Sequence, residues 1–284
     1  MNPLAGMEGS ADGKAAGVVG EEPTSHLDRN AILLAVIFSV LTIGGWELIV
    51  RFFRVPSMIM PAPSAIATSL WKGLASGIYP RHFLVTFLES IGGFGIGAAF
   101  GLLLGGIIGT SPLLERAFYP FVVSLQTVPK VALVPIVIIW FGYGINSKIA
   151  ISATIAAFPV LANTIVGLRA APREEIDLLT AYTASRWQIF RTVQLPQALP
   201  YILVGFDVAI VLAVIGAIVG EFVGAQAGLG FLILQRNLYF DTAGEFAIII
   251  LLSGMGLALH YLISFAHRRI VFWNPRSANS GRQH

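Results

Sequence analysis

Long apolar runs separated by short polar breaks dominate this chain, and six of them recur at one length. A helix needs ~20 mostly apolar residues to cross the ~30 Å hydrocarbon core of a bilayer. Ala31–Phe53, Phe83–Gly109, Ala117–Phe141, Lys148–Leu168, Tyr201–Val223 and Phe246–Phe265 meet that length. The pattern predicts an all-α fold, a polytopic transmembrane bundle of about six spans. The third run holds Pro129 and Pro135 and is expected to be kinked or broken, with neighbouring helices satisfying the freed carbonyls. Between the first two runs, Ser64–Leu74 mixes apolar and polar residues in a way that predicts a helix lying at the interface. Between the fourth and fifth, residues 170–200 hold the densest charge in the chain in a pattern that still reads as helical.

Composition sharpens this picture. Of 284 residues, 56% are hydrophobic and 12% charged, and the mean hydropathy is +0.78. A soluble domain needs roughly a quarter of its residues charged, so most of this surface faces lipid. The net charge of +3 does not point to nucleic acid, because the cations are scattered between apolar runs. Without cysteine, disulfides and thiolate chemistry are excluded. Residues 1–30 read as a disordered cytoplasmic tail and not as a cleaved signal, residues 31–270 as the membrane domain, and residues 271–284 as a second cytoplasmic tail. Arginines at 116, 169, 173, 186, 191, 268 and 269 fall on one side, outweighing the other side's Arg51, Arg54, Lys72, Arg81, Lys148 and Arg236 once Lys14, Arg29, Arg276 and Arg282 of the tails and tail edges are added. The positive-inside rule then places both termini in the cytoplasm.

Two further patterns lie within the spans. Gly93, Gly97, Gly101, Gly105 and Gly109 recur every four residues and form one narrow stripe where another backbone can approach closely. The stripe suits packing within one subunit or a seam with a second copy. Ionisable residues within spans are functional suspects; they are Glu47, Glu89, Lys130, Asp207 and Glu221, with His260 a weaker case. Lys130 sits in QTVPKVALVP, where it would line a pathway, pair with Asp207 or snorkel. Glu89 and Asp207 are the other pathway candidates, and interfacial anchoring explains Glu47 and Glu221, near span ends, as well as transport does. No histidine cluster, HExxH or GxSxG is present, so neither a metal site nor a catalytic centre is expected. The nearest approach to a phosphate-binding loop, GSADGKA at Gly9–Ala15, has the wrong spacing and lacks the hydroxyl, so this chain is not expected to hydrolyse ATP.

The charged loop reads DLLTAYTASRWQIFRTVQLPQALPYI from Asp177 to Ile202. It resembles the EAA loop of bacterial ABC importer permeases, whose pattern is EAA, three residues, Gly, nine residues and I-x-L-P. Asp177-Leu178-Leu179 occupies the EAA position, Thr183 stands at the Gly, and Val193-Gln194-Leu195-Pro196 matches the end. The resemblance extends through WELIVRFFRVPSMIMPAPSAI (Trp46–Ile66), VPIVIIWFGYG (Val134–Gly144), GEFVGAQAGLGFLI (Gly220–Ile233) and the closing HRRIVFW. Together these segments are similar to the nitrate/sulfonate/taurine-type permeases, a group that includes importers of pyrimidine vitamin precursors.

That resemblance implies a type I importer permease in a bacterial inner membrane. Its expected partners are a second permease copy, two ATPase subunits that hold ATP and magnesium, and an extracytoplasmic solute-binding protein. The loop, with Asp177, Thr183, Ala184, Ser185, Arg186, Trp187, Arg191, Leu195 and Pro196, would form coupling helices that dock on the ATPase. Leu195, Pro196 and Pro200 are expected to end the coupling helix. The implied solute is a small anion such as a sulfonate, taurine or nitrate, or alternatively a flat aromatic precursor. A transporter driven by an ion gradient would show inverted repeats; no repeat relates the halves, and such a mechanism gives no reason for the loop.

Overall fold

The computed structural model describes residues 29–271, so both predicted tails, apart from the residues at their inner edges, lie outside the described residues. The chain divides into two units, 1–40 and 41–284. Among the described residues of the first are the opening turns of α1 (Arg29–Phe52), exposed from Ala31 to Val40. The second unit carries the rest of α1 and, in order, α2 (Pro63–Ala75), α3 (Ile78–Thr110), α4 (Pro112–Thr127), α5 (Val134–Phe141), α6 (Ile145–Arg169), α7 (Arg173–Ala181), α8 (Arg186–Ile189), α9 (Leu195–Phe222), α10 (Leu229–Leu238) and α11 (Thr242–Ile270). Among the described residues there is no strand. Among the described residues five helices are long and apolar enough to cross a membrane, or six if the α4–α5 pair, bent by 86°, is one broken span.

The break has a local cause. A proline pushes its preceding residue into extended geometry, and Val128 before Pro129 has ψ 128°. One short 3-10 turn, Lys130–Leu133, then leads into α5 with Pro135 in its first turn, where the missing N–H costs nothing. The predicted interfacial helix is α2. Its N-terminus is held by a residue of α1: Glu47 accepts hydrogen bonds from the Ser64 amide (3.0 Å) and hydroxyl (2.8 Å) while also pairing with Arg51. Glu47 is therefore a helix cap supplied from another helix.

The core is a three-helix stack with α6 between α3 and α9. The predicted glycine stripe faces α6 of the same chain, so it is not free to meet a second copy. A methyl group on Gly97 would lie 2.6 Å from the Ala153 carbonyl oxygen, one on Gly101 2.7 Å from that of Ala157, and one on Gly105 2.7 Å from Thr164 Cβ. On the far side of α6, a methyl on Gly216 of α9 would lie 2.8 Å from Ser152 Cα. Small residues at both contacts let the backbones close together, which is how helices associate where lipid removes the hydrophobic drive. Ser152 and Ala156 are fully buried there, and the Ser152 hydroxyl donates to the Ala213 carbonyl at 2.8 Å.

Two sequence expectations change. The fifth span begins at Leu195, because Pro196 sits in the first turn of α9 and Pro200 is carried inside it. A π-turn, Phe190–Gln194, joins α8 directly to α9, with the Leu195 amide donating to Phe190 O. The wider turn absorbs the bond that Pro196 cannot make, so these prolines do not end the coupling helix.

The packing predicts opposite signs for two substitutions on one helix. Gly101→Ala overpacks the α3–α6 contact and is expected to destabilise by about 1–3 kcal/mol. Gly95→Ala, whose added methyl meets nothing within 4 Å, is expected to be neutral or to stabilise by up to about 1 kcal/mol. Thermal unfolding of the two purified variants in one detergent checks this.

Candidate functional site

The loop between α6 and α9 is built in steps. Arg169, at the end of α6, forms an ion pair with Glu115 in the first turn of α4 at 2.5 Å, which fixes the loop's departure. α7 follows and ends in a Schellman motif: the Thr183 amide donates to Thr180 O (2.9 Å) and the Ala184 amide to Leu179 O (3.0 Å). Such a motif needs a left-handed residue just past the helix, normally glycine. Thr183 supplies it at φ 60°. Ser185 then starts α8 with a reciprocal capping box, its hydroxyl accepting from the Gln188 amide and the Gln188 side chain accepting from the Ser185 amide at 2.7 Å. Trp187 stacks on Phe190 at 5.5 Å and remains 66% exposed. Arg186, Arg191 and Asp177 are also exposed, as are Leu178 and Tyr182, while Ala184, Leu195 and Pro196 are half-buried. Two helix ends with defined caps therefore present a rigid aromatic and basic ridge.

A buried polar cluster lies at the opposite end of the same spans. The Thr86 hydroxyl of α3 donates to Glu221 of α9 at 2.6 Å and accepts from the Leu229 amide at 2.7 Å. The Gly230 amide donates to the other Glu221 oxygen at 2.5 Å, and the Gly228 amide to His82 at 3.0 Å. Gly228 has φ 116°, and a side chain there would collide with the Glu221 carboxylate. Lys148 of α6, fully buried, donates to the Tyr143 carbonyl (2.5 Å) and the Gly224 carbonyl (3.4 Å). Glu89 lies in the same cluster, its carboxyl inside the bundle and not on an open face. The arrangement ties the turn before α10 to three spans and gives a physical reason for the GEF…GLG phrase.

The remaining suspects do not meet as a Lys130–Asp207 pair. Lys130 Nζ donates to the Gln126 carbonyl at 3.2 Å, closing the C-terminus of α4, and lies 5.1 Å from the centre of the Phe158 ring. Asp207 instead accepts from the Ser264 hydroxyl at 3.3 Å and faces His260 Nδ1 at 3.5 Å. Among the described residues no group of side chains is arranged to hold a metal.

Residues 97–272 match the family described as binding-protein-dependent transport system inner membrane component. This chain belongs to that family. It is 37% identical to the riboflavin transport system permease protein RibX of Chloroflexus aurantiacus, over 82% of this chain and 87% of the relative. It is 34% identical to the formylaminopyrimidine transport permease protein ThiX of Halalkalibacterium halodurans, over 84% and 95%. The putative aliphatic sulfonates transport permease protein SsuC of Escherichia coli is 33% identical, over 82% and 89%. Among solved structures, the MetNI methionine ABC transporter in inward-facing conformations aligns with a TM-score of 0.50 and 27% identity, covering 75% of this chain and 97% of that chain.

As a member of this family, the chain is the multi-pass membrane permease subunit of an ABC importer, working with an ATPase and a solute-binding protein, and ATP hydrolysis belongs to the separate subunit. For this permease, sequence position puts Glu221 near a span end, open to anchoring or transport, and counts Lys148 with an outer loop. Both are buried, and the signal available for them was the pair of glycines at 228 and 230, which leave room for a carboxylate.

The strained Thr183 generates a prediction. A β-branched residue at φ 60° costs about 1–2 kcal/mol that glycine does not pay. Thr183→Gly is expected to stabilise the loop by about that amount, read as slower proteolytic cleavage between α7 and α8 at unchanged helix content.

Proposed function

We propose that this permease works as a homodimer in which the α7–α8 ridge of each copy docks on one of two ATPase subunits, with both termini in the cytoplasm and the α10 side facing the solute-binding protein. ATP and magnesium are held by the ATPases, and this chain supplies alternating access for a small organic solute. The observation that carries the reading is the exposed Trp187, flanked by Arg186 and Arg191, on a helix that runs without a loop into α9. Aromatic and arginine anchors dominate binding energy at interfaces. The continuous helix gives the docked end a direct path to the membrane core.

The basic side of the chain supports the orientation. Arg169, Arg173, Arg186 and Arg191 stand with the loop, and Arg268 and Arg269 with the last turn of α11. Lys130 and Asp207, each partly open, are the residues that would line the route between them. The names of the relatives cover a flavin, a pyrimidine and sulfonates, so the importer reading is broader than any one solute.

Trp187→Ala and Arg186→Glu are each expected to lower co-purification with the ATPase at least about tenfold, a loss of ~1.4 kcal/mol or more, while membrane insertion persists. Undiminished co-purification of both would remove the coupling role. Because the chain has no cysteine, Trp187→Cys reports orientation directly: an impermeant thiol reagent should label it in inverted vesicles and not in intact cells.

A further inference from the structure

The cluster around Glu221 encloses more acid than base. Glu89 of α3 and Glu221 of α9 are 2% and 1% exposed, and Lys148 of α6 is 1% exposed. Among the described residues no other acid and no other Lys or Arg is fully buried. Two carboxylates against one ammonium would leave a net negative charge inside the bundle. A buried charge without a partner neutralises instead of persisting, and here one proton is enough.

The distribution of donors identifies the carboxyl that carries it. Glu221 is ringed by them: the Thr86 hydroxyl reaches one oxygen at 2.6 Å, the Gly230 amide the other at 2.5 Å, and the Phe231 amide adds a third. Glu89 is the opposite case. Its Oε2 is buried with no hydrogen-bond partner, and the group its carboxyl meets is the Glu221 carboxyl. Two carboxyl groups bond one another only through a proton. The charged form is favoured where donors converge, so Glu221 is the carboxylate and Glu89 the acid that donates to it. The other ionisable groups nearby leave this count unchanged. Lys148 acts on both carboxyls from α6, and His82 of α3 is engaged by the Gly228 backbone. α5 has no ionisable side chain, and Arg236 of α10 pairs with Asp241.

We propose that Glu89 and Glu221 form a buried proton-binding site, in which Glu89 carries the proton and its occupancy holds α3 to α9 beneath the α10 turn. When the proton leaves for solvent, two carboxylates face each other and only water relieves the repulsion. The Leu229 and Gly230 amides close the turn over the pair, so they are the groups that part to admit it. Proton release and opening of the turn are therefore linked, each favouring the other. The clamp is complete while the proton is bound and is lost as pH rises through its release.

The test uses the full-length permease in lipid nanodiscs, read by infrared spectroscopy and by amide hydrogen exchange. At neutral pH the wild type should show a protonated-carboxyl C=O band that shifts in heavy water and disappears at alkaline pH. Glu89→Gln should abolish the band while its amide still donates to Glu221. With the intrinsic exchange rate divided out, residues 224–231 of the wild type should lose protection at least about tenfold on going from neutral to alkaline pH. In Glu89→Gln that protection should not change with pH. Glu221→Gln turns an N–H toward one of the donors around it and should lose protection already at neutral pH. The proposal fails if the wild type shows no such band, if the band survives Glu89→Gln, or if protection follows the same pH course in both. Protection that depends on sodium instead of pH would assign the site to a metal ion and also overturn it. Failure of Glu89→Gln to assemble counts against it as well, since the amide supplies the same donor, and the wild-type band then still decides whether the proton is there. None of these readouts involves the ATPase, so they stand apart from the importer reading.

Discussion

The close approach of α3, α6 and α9 is the constraint on which the rest of this permease depends. In lipid, apolar side chains gain little by leaving hydrocarbon for a helix interface, so association relies on contact area and on hydrogen bonds that need proximity. Gly97 and Gly101 bring α3 to within van der Waals reach of the α6 backbone, and Gly216 does the same from α9. Once the three helices are this close, Ser152 can bridge α6 to α9. Thr86 of α3 can likewise reach Glu221 of α9 directly. The polar cluster at one end of the bundle therefore exists because glycine and alanine occupy its middle.

That cluster carries charge into a place where charge is expensive. It is tolerated because the groups that meet it are fixed donors and acceptors: the backbone amides of Gly228, Leu229 and Gly230 donate to the His82 imidazole, the Thr86 hydroxyl and the Glu221 carboxyl in turn, and the backbone carbonyls of Tyr143 and Gly224 accept from Lys148. Buried ionic groups contribute less to net stability than to uniqueness of arrangement in some proteins. In this fold they tie the turn before α10 to α3, α6 and α9 by hydrogen bonds.

The spans were legible in the sequence because hydrocarbon thickness imposes a length that apolar runs either meet or miss, and the broken third span was legible from Pro129 and Pro135. The loop was legible through its spacing, though the reason for that spacing became visible only in the Schellman turn at Thr183. What sequence position does not reveal is azimuth around a helix. Lys130 and Asp207 lie at plausible depths for a pair, yet each turns to a different neighbour. Glu47 and Glu221 read as residues at span ends, whereas their roles depend on amides seventeen and nine residues away. Pro196 read as a terminator because the start of α9 was not marked in the letters, and a proline in a helix's first turn breaks nothing.

The absence of a loop between α8 and α9 has a mechanical consequence. α9 alone has 28 residues, a rod of about 42 Å at 1.5 Å per residue. On the proposed docking, pivoting such a rod about its α8 end through about 10° would sweep the opposite tip by about 7 Å, by the same geometry. That tip bears Glu221, so modest rocking by a motor docked at one membrane face would become a ligand-sized displacement at the other, delivered to the clamp that holds the α10 turn.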